Sequence, residues 1–333
     1  MERLEELQQW LASHYPSGSF HLTPASADAS FRRYFRVHLA EGDARSVIAM
    51  DAPPQREDCR PFIHVAGLLL EAGLNAPRIL AQDLARGFLL LTDLGSTTYL
   101  AALDASNADT LFADAVDALV RWQLASRPAE LPPYDEALLR RELDLFPEWY
   151  VARHLGITPS DAQRQAIEST FRLVLASNLA QPKVFVHRDY MPRNLMVSDP
   201  NPGILDFQDA VFGPISYDVA SLFRDAFVSW PEERVIDWTV RYWEKARRAG
   251  LPVDADFGAF YQDLEWMGLQ RHLKVLGIFA RLQYRDGKPD YLGDAPRFLA
   301  YVRATCERYA ALAPLARLLD QLEGRTPKLR YTF

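Results

Sequence analysis

The chain has 333 residues, enough for two lobes with substantial cores, and its 49% hydrophobic and 24% charged residues are ordinary for a soluble globular protein. The net charge of −7 argues against a nucleic-acid partner, although a local basic groove for an anionic substrate remains open. No apolar run approaches the about 18 residues of a membrane-spanning helix, so we expect no membrane segment.

Neither the cysteines nor the N-terminus indicates secretion. Cys59 and Cys306 stand far apart and belong to no C-x-x-C motif, so we expect both thiols to be reduced. Residues 1–7 are acidic and periodic, which differs from the basic and then apolar pattern of a signal peptide. These features favour a cytoplasmic protein, and nothing in the sequence indicates an obligate protein partner.

The first predicted elements form a strand-rich region. Apolar periodicity predicts helices over 2–14 and 57–73 and strands over 31–37, 46–50, 76–80 and 87–91. The last strand runs through Asp93 into a connector that contains glycine, which is typical of a hinge whose backbone can pair with an adenine edge. We therefore expect a nucleotide-binding lobe over 1–93.

The remainder, 94–333, is predicted to be mainly helical and to carry the catalytic loop and the substrate site. Helices are expected over 107–125, 135–155 and 160–180, and again from the region of Asp218 to near Leu322. Pro147 is expected to kink or split the second of them, because proline cannot donate a helical hydrogen bond. Ser160 and Gln163 fit a capping box at the start of the third.

Candidate nucleotide contacts lie before and within the strand over 31–37. A loop of small residues that includes Ser30 can offer backbone N–H groups and a hydroxyl to phosphates, and Arg32 and Tyr34 share one strand face. If this face covers the nucleotide, Tyr34 lies over the adenine and Arg32 near the phosphates. Taken alone, the stretch favours a solvated strand face, because the chain contains neither G-x-G-x-x-G nor G-x-x-x-x-G-K-[ST].

The stretch from Val184 to Asp218 carries the candidate chemistry. Two short apolar runs around a turn of Ser, Asp, Pro, Asn and Gly predict a hairpin. With Val197 opposite Gly203, Asn194 falls opposite Asp206. A carboxylate and an amide oxygen at the open end of one hairpin suit Mg²⁺, which completes its coordination with water and phosphate oxygens.

Asp189 precedes Asn194 on the loop that enters this hairpin, where a carboxylate can act as base on a substrate hydroxyl. An isolated H-R-D is also compatible with a surface loop or a helix cap. The order H-R-D-x4-N and then Asp206-Phe-Gln favours the chemistry, because it follows the protein-kinase signature. No A-P-E motif follows, and Asp218 comes only 12 positions after Asp206, so we expect a small acceptor and not a peptide.

Two residues are expected to orient this loop. Asp218 stands near a helix start and either caps that helix or binds the backbone of the loop that carries Asp189. We favour the loop, since the short distance from Asp206 keeps the chain near the site. His187 opens the H-R-D motif itself and is assigned the same orienting role.

These segments resemble the aminoglycoside phosphotransferase family of kinase-like enzymes. The resemblance rests on V-F-V-H-R-D-Y-M-P-R-N-L-M-V, I-L-D-F-Q-D-A and G-P-I-S-Y-D-V-A-S-L. It implies an α+β, two-lobed protein-kinase-like fold with a small antiparallel sheet and a larger helical lobe. It also implies ATP with Mg²⁺, Asp189 as base, and Asn194 with Asp206 as metal ligands.

Further motifs are similar to the bacterial branch of cell-wall amino-sugar kinases. They include A-D-A-S-F-R-R-Y-F-R-V, M-D-A-P-P, L-T-D-L-G, E-L-D-L-F-P-E-W-Y and L-Q-R-H-L-K-V-L-G-I-F-A-R-L. That branch implies phosphorylation of the anomeric hydroxyl of N-acetylmuramate or N-acetylglucosamine in peptidoglycan recycling. One departure matters: Met50 stands where the family usually carries a phosphate-binding lysine, and Arg32 is the first candidate to supply the cation.

Substrate contacts are the least specific predictions. Trp149, Phe146 and Trp266 are candidate platforms for a sugar, and Arg271 and Lys274 are candidate partners for a carboxylate. Each is more often core or a solvated helix face. Two alternatives remain open: an acceptor that is an aminoglycoside, choline or another amino alcohol, and a non-catalytic ATP-binding protein, which the missing lysine suggests.

Overall fold

The computed structural model describes residues 3–16, 18–26, 31–40 and 46–324. The chain forms two compact units, Met1–Ala125 with Pro192–Ala210, and Ser126–Met191 with Val211–Phe333. This division differs from the lobe boundary expected near residue 93, because the first unit continues through a long helix and also takes the hairpin segment.

The first unit contains an antiparallel sheet with the strand order β1-β2-β3-β5-β4. Its strands are β1 (Phe20–Ser26), β2 (Arg33–Leu39), β3 (Ser46–Asp51), β4 (Ile79–Asp83) and β5 (Phe88–Thr92). Strand β1 was not predicted, because Pro24 interrupts its pattern. Proline is tolerated here since β1 lies at the edge of the sheet and its pairing with β2 shifts register between Pro24 and Ser26.

Helices of the first unit pack their apolar stripes into its core. They are α1 (Arg3–Ala12), α2 (Arg60–Glu71), α3 (Tyr99–Ala102) and α4 (Ala108–Leu124). Leu7, Trp10 and Leu11 form the buried stripe of α1 and contact a cluster that includes Val37 and Phe88 from the sheet. The periodicity of the sequence predicted this helix, over 2–14.

The hairpin segment consists of a 3₁₀ turn, Pro192–Asn194, and two short strands, β7 (Leu195–Met196) and β8 (Gly203–Ile204). Leu195 pairs with Ile204 and Met196 with Gly203, so the expected register was wrong by one residue. The cause is Val197, whose N–H donates to the carbonyl of Thr97 at 2.9 Å and therefore leaves the hairpin ladder.

In the second unit, β6 (Lys183–Val186) pairs antiparallel with β9 (Val211–Pro214). Its helices are α5 (Glu136–Leu145), α6 (Asp161–Ala180), α7 (Tyr217–Phe223), α8 (Glu232–Arg248), α9 (Phe257–Tyr284), α10 (Ala295–Arg308) and α11 (Ala313–Leu322), with short 3₁₀ helices at Pro289–Asp294 and Ala310–Leu312. At Pro147, α5 gives way to a π-helical segment, Phe146–His154, as the proline predicted. The capping box of Ser160 and Gln163 is also confirmed.

Helix α9 is the buried axis of the second unit and contacts α5, α6, α7 and α10. Its buried face carries charged residues, among them Glu265, Arg271 and Lys274, in addition to apolar ones. Within the described ranges, no helix combines the length and apolarity needed to cross a bilayer. The two cysteines are free and buried.

Candidate active site

Asp218 binds the loop that carries Asp189. It lies in the first turn of α7, is fully buried, and accepts hydrogen bonds from the backbone N–H groups of His187 (2.7 Å) and Arg188 (3.0 Å). Burial raises the pKa of Asp218 to about 7, although these two hydrogen bonds lower it. Both carboxylate oxygens thus contact the loop.

The His187 side chain also binds the backbone of this loop. Its ring is buried, and Nδ1 accepts a hydrogen bond from the backbone N–H of Asp189 at 3.3 Å. The carbonyl of Asp189 accepts in turn from the N–H of Met191 at 3.0 Å. Asp189 is partly exposed, so its side chain can meet a ligand while its backbone is held in place.

Arg188 is anchored by a buried group of charges that we call the Glu142 cluster: Glu142, Arg188, Lys274, Tyr134 and Tyr217. The Arg188 guanidinium and the Tyr134 hydroxyl both donate to the Glu142 carboxylate. The Lys274 ammonium lies 3.1 Å from Glu142 and donates to the Tyr217 hydroxyl at 3.1 Å. Arg188 has a φ of 76°, a conformation that costs energy for a residue with a side chain. The cluster offsets that cost.

The Glu142 cluster carries two cations against one carboxylate. Burial raises the pKa of Glu142, but attraction to Lys274 and Arg188 outweighs burial and lowers it. Burial lowers the pKa of Arg188 and of Lys274. Attraction, to Glu142 above all, outweighs burial, so that both pKa values are raised overall. The Asp189 carboxylate also raises the pKa of Arg188 and of Lys274, so Asp189 lies within electrostatic reach of the cluster's excess positive charge.

Sequence reasoning missed Glu142, although a signal existed. Leu139, Glu142, Leu143 and Phe146 recur at helical spacing, which puts a carboxylate on an otherwise apolar face. Such a buried charge requires a partner. Lys274, which the sequence offered as a partner for a substrate carboxylate, is engaged with Glu142 instead.

The residues predicted to contact the sugar differ in how deeply they are buried. Phe146 is fully buried and stacks on Tyr150, with ring centroids 5.7 Å apart. Trp266 is buried against Tyr309. Both therefore pack inside the protein, whereas Trp149 is only half-buried in the π-helical segment. Arg271 is buried near the catalytic loop, with Nη2 3.5 Å from the sulfur of Met191.

In the first unit, the two predicted metal ligands meet. Asn194 Nδ2 donates to Asp206 Oδ2 at 3.3 Å, and Gln208 Nε2 donates to Asp206 Oδ1 at 2.9 Å. The contact arises although the register differs from the expected one, and Asp206 has a φ of 61°, a left-handed conformation that aspartate tolerates. Across the parts of the chain with described coordinates, no set of three His, Cys, Asp or Glu residues could cage a metal. Two oxygen donors instead suit Mg²⁺, which keeps water and phosphate ligands.

Arg32 lies beside these ligands. Its side chain is 12% exposed and sits 3.4 Å from the carboxylate of Glu57. Burial lowers its pKa, but attraction to Tyr34, Glu57, Asp206 and, more weakly, Asp209 raises it overall. The structure thus brings Arg32, Tyr34 and Asp206 together.

The other residues that the sequence analysis considered for nucleotide binding lie in different environments. Asp93 accepts from Arg36 (2.6 Å), Ser46 (2.7 Å) and the Gly95 N–H (2.9 Å), so its carboxylate organises the connector. Ser30 lies outside the described residues. Met50 is fully buried and pairs with Tyr34 across the sheet, which leaves the usual lysine position apolar.

Comparison with known proteins identifies the family of this chain. The model of the phosphotransferase enzyme family matches residues 21–255. An N-acetylmuramate/N-acetylglucosamine kinase of Pseudomonas putida is 55% identical over 97% of both chains. A protein of the same name from Neisseria meningitidis is 51% identical, also over 97% of both chains.

Solved structures agree on the fold. Choline kinase from Cryptosporidium parvum superposes with a TM-score of 0.63 at 13% identity, covering 95% of this chain and 99% of its own. An ADP-bound aminoglycoside phosphotransferase gives 0.58 at 13% identity, covering 89% and 97%. The kinase-like fold and the family predicted from the loop motifs are confirmed. The chain belongs to the phosphotransferase enzyme family, and it is an ATP-dependent phosphotransferase.

Proposed function

We propose that this protein transfers the γ-phosphoryl group of ATP to the anomeric hydroxyl of N-acetylmuramate or N-acetylglucosamine. The observation that carries the proposal is the identity of 51–55%, over 97% of both chains, to proteins named as kinases of these two sugars. The products are the sugar 1-phosphate and ADP. The proposed role of this reaction is the recycling of peptidoglycan in the cytoplasm, where ATP is available.

Asp189 is the proposed base. The anomeric hydroxyl gives its proton to the Asp189 carboxylate, its oxygen bonds to the γ-phosphorus, and the bond from that phosphorus to the β-γ bridging oxygen breaks to release ADP. The proposed base needs a fixed position beside the acceptor, and an anomeric hydroxyl is more acidic than an ordinary alcohol. The hydrogen bonds that the loop's backbone N–H groups donate to Asp218 and to the His187 ring, together with the Glu142 cluster, support that fixed position.

Asn194 and Asp206 would hold Mg²⁺. When bound, the ion neutralises charge that develops on the β- and γ-phosphates. The contact between the two side chains supports this assignment. Gln208, which donates to Asp206, fixes the orientation of that carboxylate.

Arg32 is the proposed replacement for the family's lysine. Its attraction to Asp206 and Asp209 supports a position near the phosphates, while the buried Met50 offers no charge there. A guanidinium suits this task because its N–H groups match phosphate oxygens in pairs. Tyr34, next to Arg32, is proposed to contact the base or ribose.

ADP release with a panel of acceptors tests the proposal. We expect turnover with N-acetylmuramate and N-acetylglucosamine, and none with their methyl glycosides, whose anomeric oxygen is blocked. Aminoglycosides and choline belong in the panel, because the fold neighbours include kinases with those names. Turnover with an amine and with neither sugar would reject the acceptor, and Mg²⁺-dependent ATP binding without any turnover would reject catalysis.

A further inference from the structure

Asp225 and Arg271 stand out in the second unit. Asp225 directly follows α7 and its C-terminal Arg224, Arg271 lies within α9, and their side chains are only 1% and 2% exposed. Each has one buried polar atom, Oδ1 of Asp225 and Nη1 of Arg271, without a hydrogen-bond partner among the residues with described coordinates. Unpaired buried charges are costly, so such atoms indicate a missing partner.

The Asp225 carboxylate and the Arg271 guanidinium attract each other. Burial raises the pKa of Asp225, and attraction to Arg271 is the largest effect that lowers it. Arg271 also lowers the pKa of Asp218, against the larger effect of burial. Yet Asp225 and Arg271 form no direct ion pair within the described ranges. A donor and an acceptor that attract each other without touching can be bridged by a hydroxyl group, which accepts from one and donates to the other.

Arg271 lies beside the loop that carries Asp189. Nη2 of Arg271 is 3.5 Å from the sulfur of Met191, whose N–H binds the carbonyl of Asp189. Met191 is partly exposed, and its unbranched thioether can rotate at low cost to uncover the guanidinium. A sugar whose hydroxyl meets Asp189 would therefore bring its other hydroxyls to this place.

The segment that follows α7 is fixed in position. Arg297 donates to the carbonyl of Ala226 at 2.7 Å, and Oδ2 of Asp225 accepts from the N–H of Phe227 at 3.3 Å. Within this pair, Oδ1 of Asp225 and Nη1 of Arg271 are the atoms that have no hydrogen-bond partner among the described residues. The site thus offers one acceptor and one donor in fixed positions.

We propose that Asp225 and Arg271 form an acceptor subsite for a neutral hydroxyl group that N-acetylmuramate and N-acetylglucosamine share. The inference rests on the proposed function and deepens it. Two acidic side chains, Asp218 and Asp225, already lie within electrostatic reach of the Arg271 guanidinium, and Asp225 is attracted to Arg297 as well. Arg271 is therefore less available to a third carboxylate than to a neutral hydroxyl group. The lactyl carboxylate of N-acetylmuramate is bound elsewhere, which differs from the carboxylate contact that the sequence alone gave to Arg271.

Steady-state kinetics of Asp225→Asn and Arg271→Lys test the subsite with both sugars. We expect KM to rise about tenfold or more for both sugars in parallel, with the KM of ATP unchanged, because one lost hydrogen bond from a charged group weakens binding by that order. Glu265→Gln is the matched control. Glu265 is a buried carboxylate of the same helix α9, held by Arg224 and Tyr309, so this variant lowers the melting temperature without changing the KM of either sugar.

Deoxy analogues identify the hydroxyl. We expect the wild type to be less active with an N-acetylglucosamine analogue that lacks the hydroxyl bound by Asp225. The Asp225→Asn variant should be equally active with this analogue and with the intact sugar. A rise in KM for N-acetylmuramate alone would overturn the neutral-hydroxyl assignment. Lowered stability with unchanged KM for both sugars would overturn the subsite itself. Wild-type protein without turnover on either sugar would reject the proposed function, and the subsite with it.

Discussion

The two units hold their candidate residues in opposite ways. In the second unit, the carboxylates of Glu142 and Asp218 are buried and bound to the segment that carries Asp189. In the first unit, Arg32 and Asp206 are partly exposed and lie close together. Charge in the second unit holds a backbone segment in place, whereas charge in the first remains partly accessible, as the proposed binding of a nucleotide requires.

This contrast separates two kinds of contribution to one reaction. A base works when its position is fixed before the substrate arrives. Groups that bind a nucleotide and its metal must exchange water for phosphate oxygens, which requires access. Substitutions in the two units should therefore affect different kinetic constants.

The largest effect is expected for Asp189→Ala. Without the proposed base, kcat falls by at least about 10²-fold, the low end for a positioned base, while the KM of ATP stays unchanged. ADP release at saturating sugar measures this change. Asp199→Ala, which removes an exposed aspartate from the hairpin turn, is the control with normal activity. Near-normal turnover of Asp189→Ala would remove the proposed mechanism.

The next effect concerns the Glu142 cluster. Glu142→Gln leaves Arg188 and Lys274 without their buried counter-charge, so we expect the free energy of unfolding to fall by about 3 kcal/mol. Since Arg188 is then less well held, kcat should fall more than the KM of either substrate changes.

A double-mutant cycle with Lys274→Met checks this account. Removal of both charges together should destabilise the protein less than the sum of the single substitutions, as measured by urea denaturation. Strictly additive changes would show that Glu142 and Lys274 do not act as a unit.

A smaller and more selective effect is expected at the first unit. Arg32→Met should raise the KM of ATP about tenfold, as expected for the loss of one charge-assisted contact to phosphate, and leave the sugar KM unchanged. Arg33→Met is the matched control, because Arg33 donates to the buried Asp51 at 3.0 Å and so stabilises the sheet. If the two variants change the KM of ATP equally, Arg32 is not the phosphate-binding cation.

The smallest effect is a pH dependence of stability from Asp218. Its pKa is about 7 in the folded protein, above the ordinary value of 3.8, so the folded state binds more protons between these values. Its contribution is complete below the unfolded pKa and is lost as pH rises through about 7, at no more than about 1.4 kcal/mol per pH unit.

Urea denaturation near about pH 5 and about pH 8 measures this contribution against Asp218→Asn, which cannot titrate. We expect the stability difference between wild type and variant to be larger at the lower pH. A difference that grows toward higher pH would contradict the raised pKa.

Local patterns predicted much of this protein. Apolar periodicity located α1, Pro147 indicated the position at which α5 ends, and the capping box indicated the start of α6. The side chains of Asn194 and Asp206 are in contact, although the strand register that was expected to bring them together was wrong by one residue. These features depend on neighbours in the sequence.

Long-range features were predicted less well. The hairpin register was wrong because Val197 binds Thr97, one hundred positions away in the chain, and no local pattern shows that contact. Strand β1 was missed since Pro24 is acceptable only at a sheet edge. The helical spacing indicated a buried charge at Glu142, but the partners of Glu142 and of Asp225 could not be predicted, because they come from distant helices.

The product formed from ATP and N-acetylglucosamine tests the central claim most directly. Phosphorus NMR of the sugar product should show a phosphorus nucleus coupled to the anomeric proton, with one ADP formed for each sugar phosphate. A phosphate on another hydroxyl, or ADP without a phosphorylated sugar, would contradict the claim.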